Sequence, residues 1–86
     1  MEFYPIIRFL EQLKKSSLKN QIQWYLQENG LFVEIKSRYR KLEFCFYLDG
    51  FVTVELKERK FFLWWKRRRL LELFWSDALE LIAKLR

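Results

Sequence analysis

Three glutamates, Glu34, Glu43 and Glu55, occupy matching positions in three alternating segments of the chain. On adjacent strands they would form a carboxylate row. Such a row can hold a divalent cation or supply an acid/base pair. Lys36, Lys41 and Lys57 are interleaved with them, so the row reads better as cross-strand charge pairing on a solvated face. Other ingredients of catalysis are missing. The chain has no histidine and one cysteine, which leaves no Cys/His zinc site, no histidine base and no intrachain disulfide. No Gly-rich phosphate loop or metal-ligand spacing is present. Cys45 stands between Phe44 and Phe46 with no partner base, and is expected to be an inert packed thiol. No cofactor or metal is implied, and the chain is expected not to be an enzyme.

The cations carry the stronger signal. Formal net charge is +6 and the pI is near 9.7. Residues 1–30 hold four cations and three anions, residues 31–60 seven and five, and residues 61–86 six and three. The excess therefore grows toward the C-terminus. It concentrates in two clusters: Arg38, Arg40 and Lys41, with Tyr39 among them, and Lys66, Arg67, Arg68 and Arg69. Such clusters suit nucleic acid, anionic lipid or an acidic protein. Cations contact phosphates, and interleaved aromatics let bases stack. Phe61 to Trp65 beside Lys66 to Arg69 would also suit an interfacial membrane segment. Glu72, Asp77 and Glu80 follow, however, and an anionic bilayer would repel them.

Elements must position these groups. A chain of 86 residues buries only about 60–65% of its unfolded surface, so one domain spanning 1–86 needs a dense core. Nine Phe, four Trp and four Tyr supply it, and two Gly and one Pro leave few loops. Pro5 suits a first helical turn, and Ile6, Phe9, Leu10 and Leu13 form a helical stripe. Leu13 and Ile22 cannot share a face of one straight helix. Ser16 and Ser17 between them are good caps. The reading is a helix over 5–15, a bend, and a second helix over 18–28 stopped by Asn29-Gly30.

Three alternating segments follow: 31–36, 41–48 and 51–57. They predict half-buried strands. A three-residue loop Leu48-Asp49-Gly50, with Gly50 left-handed, sets Phe46 opposite Val52 and Phe44 opposite Val54 and keeps one face apolar. A turn Ser37-Arg38-Tyr39-Arg40 sets Ile35 opposite Leu42 and Val33 opposite Phe44. Leu70, Leu71, Phe74, Ala78, Leu81, Ile82 and Leu85 recur at helical spacing and predict one helix over 67–85.

The stretch FFLWWKRRR, residues 61–69, divides two readings. As strand over 60–66 it sends Phe61, Leu63 and Trp65 to the core, and Phe62 and Trp64 outward. As helix it extends the C-terminal helix. Its aromatic content favours strand. Phe62 and Trp64 would then join Phe32, Tyr47 and Phe51 on the outer face of the sheet, as an interface patch or, if the first helices cover that face, as core. The cations Lys66 to Arg69 would open the last helix, where the dipole disfavours them. Three arginines in that position would hint at an expected anion.

The order helix, three strands, helix, with a basic start to the last helix, resembles the double-stranded RNA-binding domain in topology. DALELIAKL, at 77–85, is similar in pattern to that family's last helix. The family's Gly-rich approach and Lys-Lys-x-Ala-Lys signature are absent, and WWKRRRLLE stands in their place. The likeness is an analogy of layout.

The expectation is an α+β domain: an N-terminal helical pair, a three- or four-stranded antiparallel meander and a C-terminal helix. Its first expected role is a basic module contacting nucleic acid or a ribonucleoprotein through Arg38, Tyr39, Arg40, Lys41 and Lys66 to Arg69. The second is a protein-binding inhibitor or regulator: an immunity protein, an antitoxin or a phage-encoded inhibitor such as an anti-CRISPR. It would dock an acidic or nucleic-acid-binding partner through Phe62, Trp64 and the arginines. A homodimer burying the same patch is a third reading. The lone cysteine, and the absence of a secretory signal or a segment long enough to span a bilayer, point to a reducing, cytoplasmic setting.

Overall fold

The computed structural model describes residues 3–15, 21–61 and 63–84. Their order is α1 (Tyr4–Lys15), β1 (Gln21–Gln27), β2 (Gly30–Lys36), β3 (Arg40–Tyr47), β4 (Phe51–Glu58), β5 (Lys66–Phe74) and α2 (Trp75–Lys84). The strands form one antiparallel meander in the order β1-β2-β3-β4-β5. The α+β class holds, with five strands and a single N-terminal helix.

The three central strands and both registers follow the hydrophobic alternation. Phe46 lies opposite Val52 and Phe44 opposite Val54; Ile35 lies opposite Leu42 and Val33 opposite Phe44. Gly50 has φ 93° and donates its N–H to the Tyr47 carbonyl at 3.2 Å. Asp49 Oδ1 accepts from the Phe51 N–H at 3.1 Å. These bonds are the local chemistry of a turn that needs a residue at positive φ.

The expected second helix is instead β1. Ile22, Trp24 and Leu26 pair with Ile35, Val33 and Leu31, so QIQWYLQ obeys a period of two. Asn29-Gly30 is not a helix stop but part of the β1–β2 turn, with Gly30 opposite Gln27 and Tyr47. A Cβ at position 30 would overlap the Phe46 carbonyl oxygen. This glycine is fixed by close backbone approach. The bend assigned to Ser16 and Ser17 lies outside the described residues.

The expected helix over 67–85 divides in two. KRRRLLELF is β5, and the helix begins only at Trp75. The first half has good helix formers, but β4 offers an open edge. Pairing Phe51–Glu58 with Lys66–Phe74 satisfies both backbones, so tertiary hydrogen bonding overrides local propensity. A register shift between Leu56 and Lys57 leaves Arg68 as the extra residue of a bulge. The arginines lie on a strand, so the helix-dipole argument for an expected anion does not apply. This also removes the basic helix start on which the double-stranded RNA-binding likeness rested. The expected strand over 60–66 does not form: Lys60, Phe61 and Leu63 to Trp65 belong to the β4–β5 connection and Lys66 opens β5. Trp64 is exposed as expected, but so are Phe61 and Leu63, which the strand reading sends to the core.

Both helices pack on one face of the sheet. Ile6, Leu10 and Leu13 of α1 and Ala78 and Ile82 of α2 join Ile22, Leu31, Val33, Ile35, Phe44, Phe46, Val52 and Val54 in the core. Burial of each large side chain contributes about 1.5–3 kcal/mol. Trp75 fastens α2 to the sheet. Its ring meets Phe46 edge-on at 6.1 Å, its N–H donates to the Gly50 carbonyl at 3.2 Å, and its indole Nε1 donates to the Tyr47 carbonyl at 3.0 Å. Among the described residues, no helix lies on the other sheet face. Among the described residues, no polar or charged side chain is buried, and no helix is long and apolar enough to cross a membrane.

Candidate nucleic-acid interface

The uncovered face is built in rows, because antiparallel register places every second residue side by side. Glu34, Glu43 and Glu55 form the expected carboxylate row. Next to it run Lys36, Lys41, Lys57 and Arg67. Like charges directly opposite one another repel, and the diagonal contacts offset this. Lys41 Nζ lies 3.6 Å from Glu34 and 3.5 Å from Glu43. Lys57 Nζ lies 2.6 Å from Glu43 and 3.6 Å from Glu55. Arg67 Nη2 donates to Glu55 Oε1 at 3.1 Å. The hydrogen bond to Glu43, aided by the nearby carboxylate charges, raises the Lys57 pKa above the ordinary lysine value although burial opposes it. The carboxylates serve as partners of cations, and no group of three or more potential ligands is placed to hold a metal among the described residues.

Beyond the ladder, at the end of the sheet where β2 turns into β3, the two basic clusters meet. Arg38-Tyr39 forms the tip of a turn closed by the Ser37 N–H donating to the Arg40 carbonyl at 2.8 Å. Arg59 links the β4–β5 connection to that tip. Its N–H donates to the Tyr39 carbonyl at 2.9 Å and its Nε–H to the Arg38 carbonyl at 2.9 Å. Glu58 then bridges the clusters, with Arg40 Nε at 3.8 Å and Arg68 Nε at 3.3 Å. Trp65 is held by cation–π contacts, with Lys41 Nζ 4.7 Å and Arg59 Cζ 4.3 Å from its ring centroid.

Phe61, Leu63 and Trp64 of the connection face solvent. The Leu63 N–H donates to the Lys60 carbonyl at 2.9 Å in a tight turn. Phe61 has φ 51°, a left-handed conformation that is an outlier for a bulky residue. Phe61 is 80% exposed, Leu63 62% and Trp64 85%. Behind them is a cleft of about 340 Å³ walled by Leu63 and Trp64. Arg59, Lys60, Lys66 and Arg68 line it, against the Glu58 carboxylate.

The sequence-predicted site is thus partly assembled and partly reassigned. Arg38, Tyr39, Arg40, Lys66 and Arg68 come together at one end. Trp64 joins them from the connection, not from a strand. Lys41 lies in the ladder, its side chain only 13% exposed, and Arg67 is tied to Glu55, so both act first as structural cations. Arg69 is exposed opposite Leu56 on β5. Among the described residues Lys66 and Arg69 form no ion pair. Phe62 lies outside the described residues. Sequence reasoning missed Glu58, Arg59, Lys60 and Trp65. A signal was present: LKERK precedes FFLWW as KRRR follows it, and cations on both flanks of an apolar run fit a projecting connection. The other half of the open face is aromatic. Tyr25 and Phe32 lie 4.9 Å apart and Phe51 and Phe74 5.1 Å apart, centroid to centroid, with Tyr47 also exposed. The helices do not cover Phe32, Tyr47 and Phe51.

Compared with protein-family models, curated proteins and solved structures, the chain finds no match in any of the three.

Proposed function

We propose that this chain is a small non-enzymatic binding module for nucleic acid, free or within a ribonucleoprotein, which it grips with the basic end of its sheet. One observation carries the reading: two cationic clusters distant in sequence converge across Glu58, where Arg40 and Arg68 share one carboxylate. Lys60 and Lys66 add charge there without an ion pair among the described residues. A polyanion is the ligand that lowers such a potential, and counterion release drives its binding. The test is a fluorescence-anisotropy titration with labelled DNA and RNA across a salt series. Engagement of about three to five phosphates gives a log–log slope of roughly −3 to −4. Binding that is absent at physiological salt, or flat with salt, would overturn the proposal.

A second reading has its own observation. Phe51, Phe74, Tyr25 and Tyr47 are exposed on the helix-free face, and contiguous apolar surface of this kind marks protein contacts. On that reading the chain is an inhibitor or regulator docking an acidic or nucleic-acid-binding protein. Loss of partner binding on Phe74→Ala, with nucleic-acid affinity unchanged, would favour it.

A further inference from the structure

We infer that the cleft behind Trp64 takes an unpaired nucleotide, so that the basic end prefers single-stranded nucleic acid. Trp64 supplies the stacking face, and Lys60, Lys66 and Arg68 hold the adjoining phosphates. This inference rests on the nucleic-acid reading and narrows it to one class of ligand.

Three observations lead there. The first is the backbone. A bulky residue at positive φ costs about 1–3 kcal/mol, and burial does not offset that at Phe61, which stays largely in water. The surrounding structure enforces the strain. Arg59 is bonded to the Arg38-Tyr39 tip and Trp65 is clamped by Lys41 and Arg59. The connection is therefore anchored at both ends while its middle holds aromatic groups out. The second is chemistry. The cleft combines an indole wall with four cations, the pairing that stacks a base while neutralising its backbone. Its size falls at the lower end of ligand-binding clefts, roughly 300–1,000 Å³. The third is charge placement. Glu34, Glu43 and Glu55 are committed to the ladder, and Glu72 lies on β5 six residues from Lys66, about 20 Å along the strand. Among the described residues lining the cleft only Glu58 opposes an anion, and it is held by Arg40 and Arg68.

Strandedness follows from the aromatics. In a duplex the base faces are already stacked on one another, and Trp64 could reach only sugars and phosphates. An unpaired base offers its π-face, and each such stack contributes enough to change affinity about five- to a hundredfold.

The experiment compares a labelled 12-residue single strand with the same sequence as a duplex, at physiological salt. It uses the full chain and its Trp64→Ala, Trp64→Phe and Lys66→Ala variants, with circular dichroism to confirm folding. The expected result is tighter binding of the single strand and about a tenfold loss on Trp64→Ala, with duplex affinity changed less than about twofold. Trp64→Phe retains most of the affinity, and Lys66→Ala weakens both ligands alike. Salt-sensitive binding with equal effects of Trp64→Ala on both ligands, or with none, overturns the stacking inference and leaves the nucleic-acid reading standing. No salt-dependent binding of either ligand overturns both. Binding to phosphatidylglycerol vesicles that needs Trp64, with nucleic-acid binding independent of it, would assign the aromatic tip to a lipid surface and overturn the inference.

Discussion

The ladder in the middle of the open face and the basic end beyond it use the same residue types to opposite effect. In the ladder, Lys36, Lys41, Lys57 and Arg67 run beside Glu34, Glu43 and Glu55, and Lys41, Lys57 and Arg67 are each paired with at least one of these carboxylates. At the basic end, Arg40 and Arg68 share Glu58, and Lys60 and Lys66 have no ion pair among the described residues. Cations matched by carboxylates on neighbouring strands hold strands in register. Cations in excess of carboxylates add little to stability and create a potential that an external anion can relieve. Local stoichiometry, rather than the number of cations, separates the structural charges from those available to a partner.

Variants can break this comparison. The largest effect is expected from reversing charge at the basic end. The double variant Lys66→Glu, Arg68→Glu should lower nucleic-acid affinity about a hundredfold or more at moderate salt, as several phosphate contacts are lost. Its thermal midpoint should stay within a few degrees, because both side chains are exposed. A matched loss of stability would mean that the end is structural after all.

Next comes the ladder. Glu43→Ala removes the carboxylate shared by Lys41 and Lys57, and the Glu43 side chain is only 17% exposed. The expected loss is about 1–2 kcal/mol, read as a lower urea midpoint, with nucleic-acid affinity unchanged or slightly raised. A strong fall in affinity would erase the distinction between the two regions.

The ladder also has a pH signature. Folding raises the pKa of Lys57, chiefly through the Glu43 hydrogen bond. A raised pKa contributes stability that is complete below the unfolded-state value and disappears as pH climbs through the folded one. The stability gap between the wild type and Lys57→Met should therefore be constant at neutral pH and shrink above about pH 10. Urea titrations of both proteins across that range measure it, and a gap that persists at high pH would detach Lys57 from the ladder's stability.

The smallest effect sharpens the contrast. Glu58→Gln frees Arg40 and Arg68 and adds one unit of positive charge to the basic end. Affinity should rise about two- to threefold at low salt, and stability should move by no more than about 1 kcal/mol, the upper end for ion pairs near the surface. Weaker binding would show that Glu58 orients the arginines rather than neutralising them.

How much of this was legible in the chain varies by element. The α1 stripe of Ile6, Leu10 and Leu13 and the alternation in 31–57 were clear, because one periodicity fitted and the other did not. Gly50 set the β3–β4 register almost alone. The segment 21–27 was ambiguous: Ile22 and Leu26 fit a helix as four-apart neighbours and a strand as alternate residues. The segment 66–74 was misleading, since its Arg, Leu and Glu favour a helix in isolation. For the site, the two clusters were visible as cations, but not which cations were already paired.

The sequence by itself determined the apolar faces, the tight turns and the excess of positive charge, because side-chain period, backbone permissiveness and ionisation are local properties. Tertiary structure decided the rest. The free edge of β4 drew KRRRLLELF into a fifth strand, since unpaired backbone groups stabilise more by pairing than a short helix does by propensity. That pairing left Phe61, Leu63 and Trp64 exposed on the connection and brought Arg68 to Glu58 beside Arg40. Which charges are cancelled and which remain depends on distances of a few ångströms between residues far apart in the chain, and only the folded sheet sets those distances.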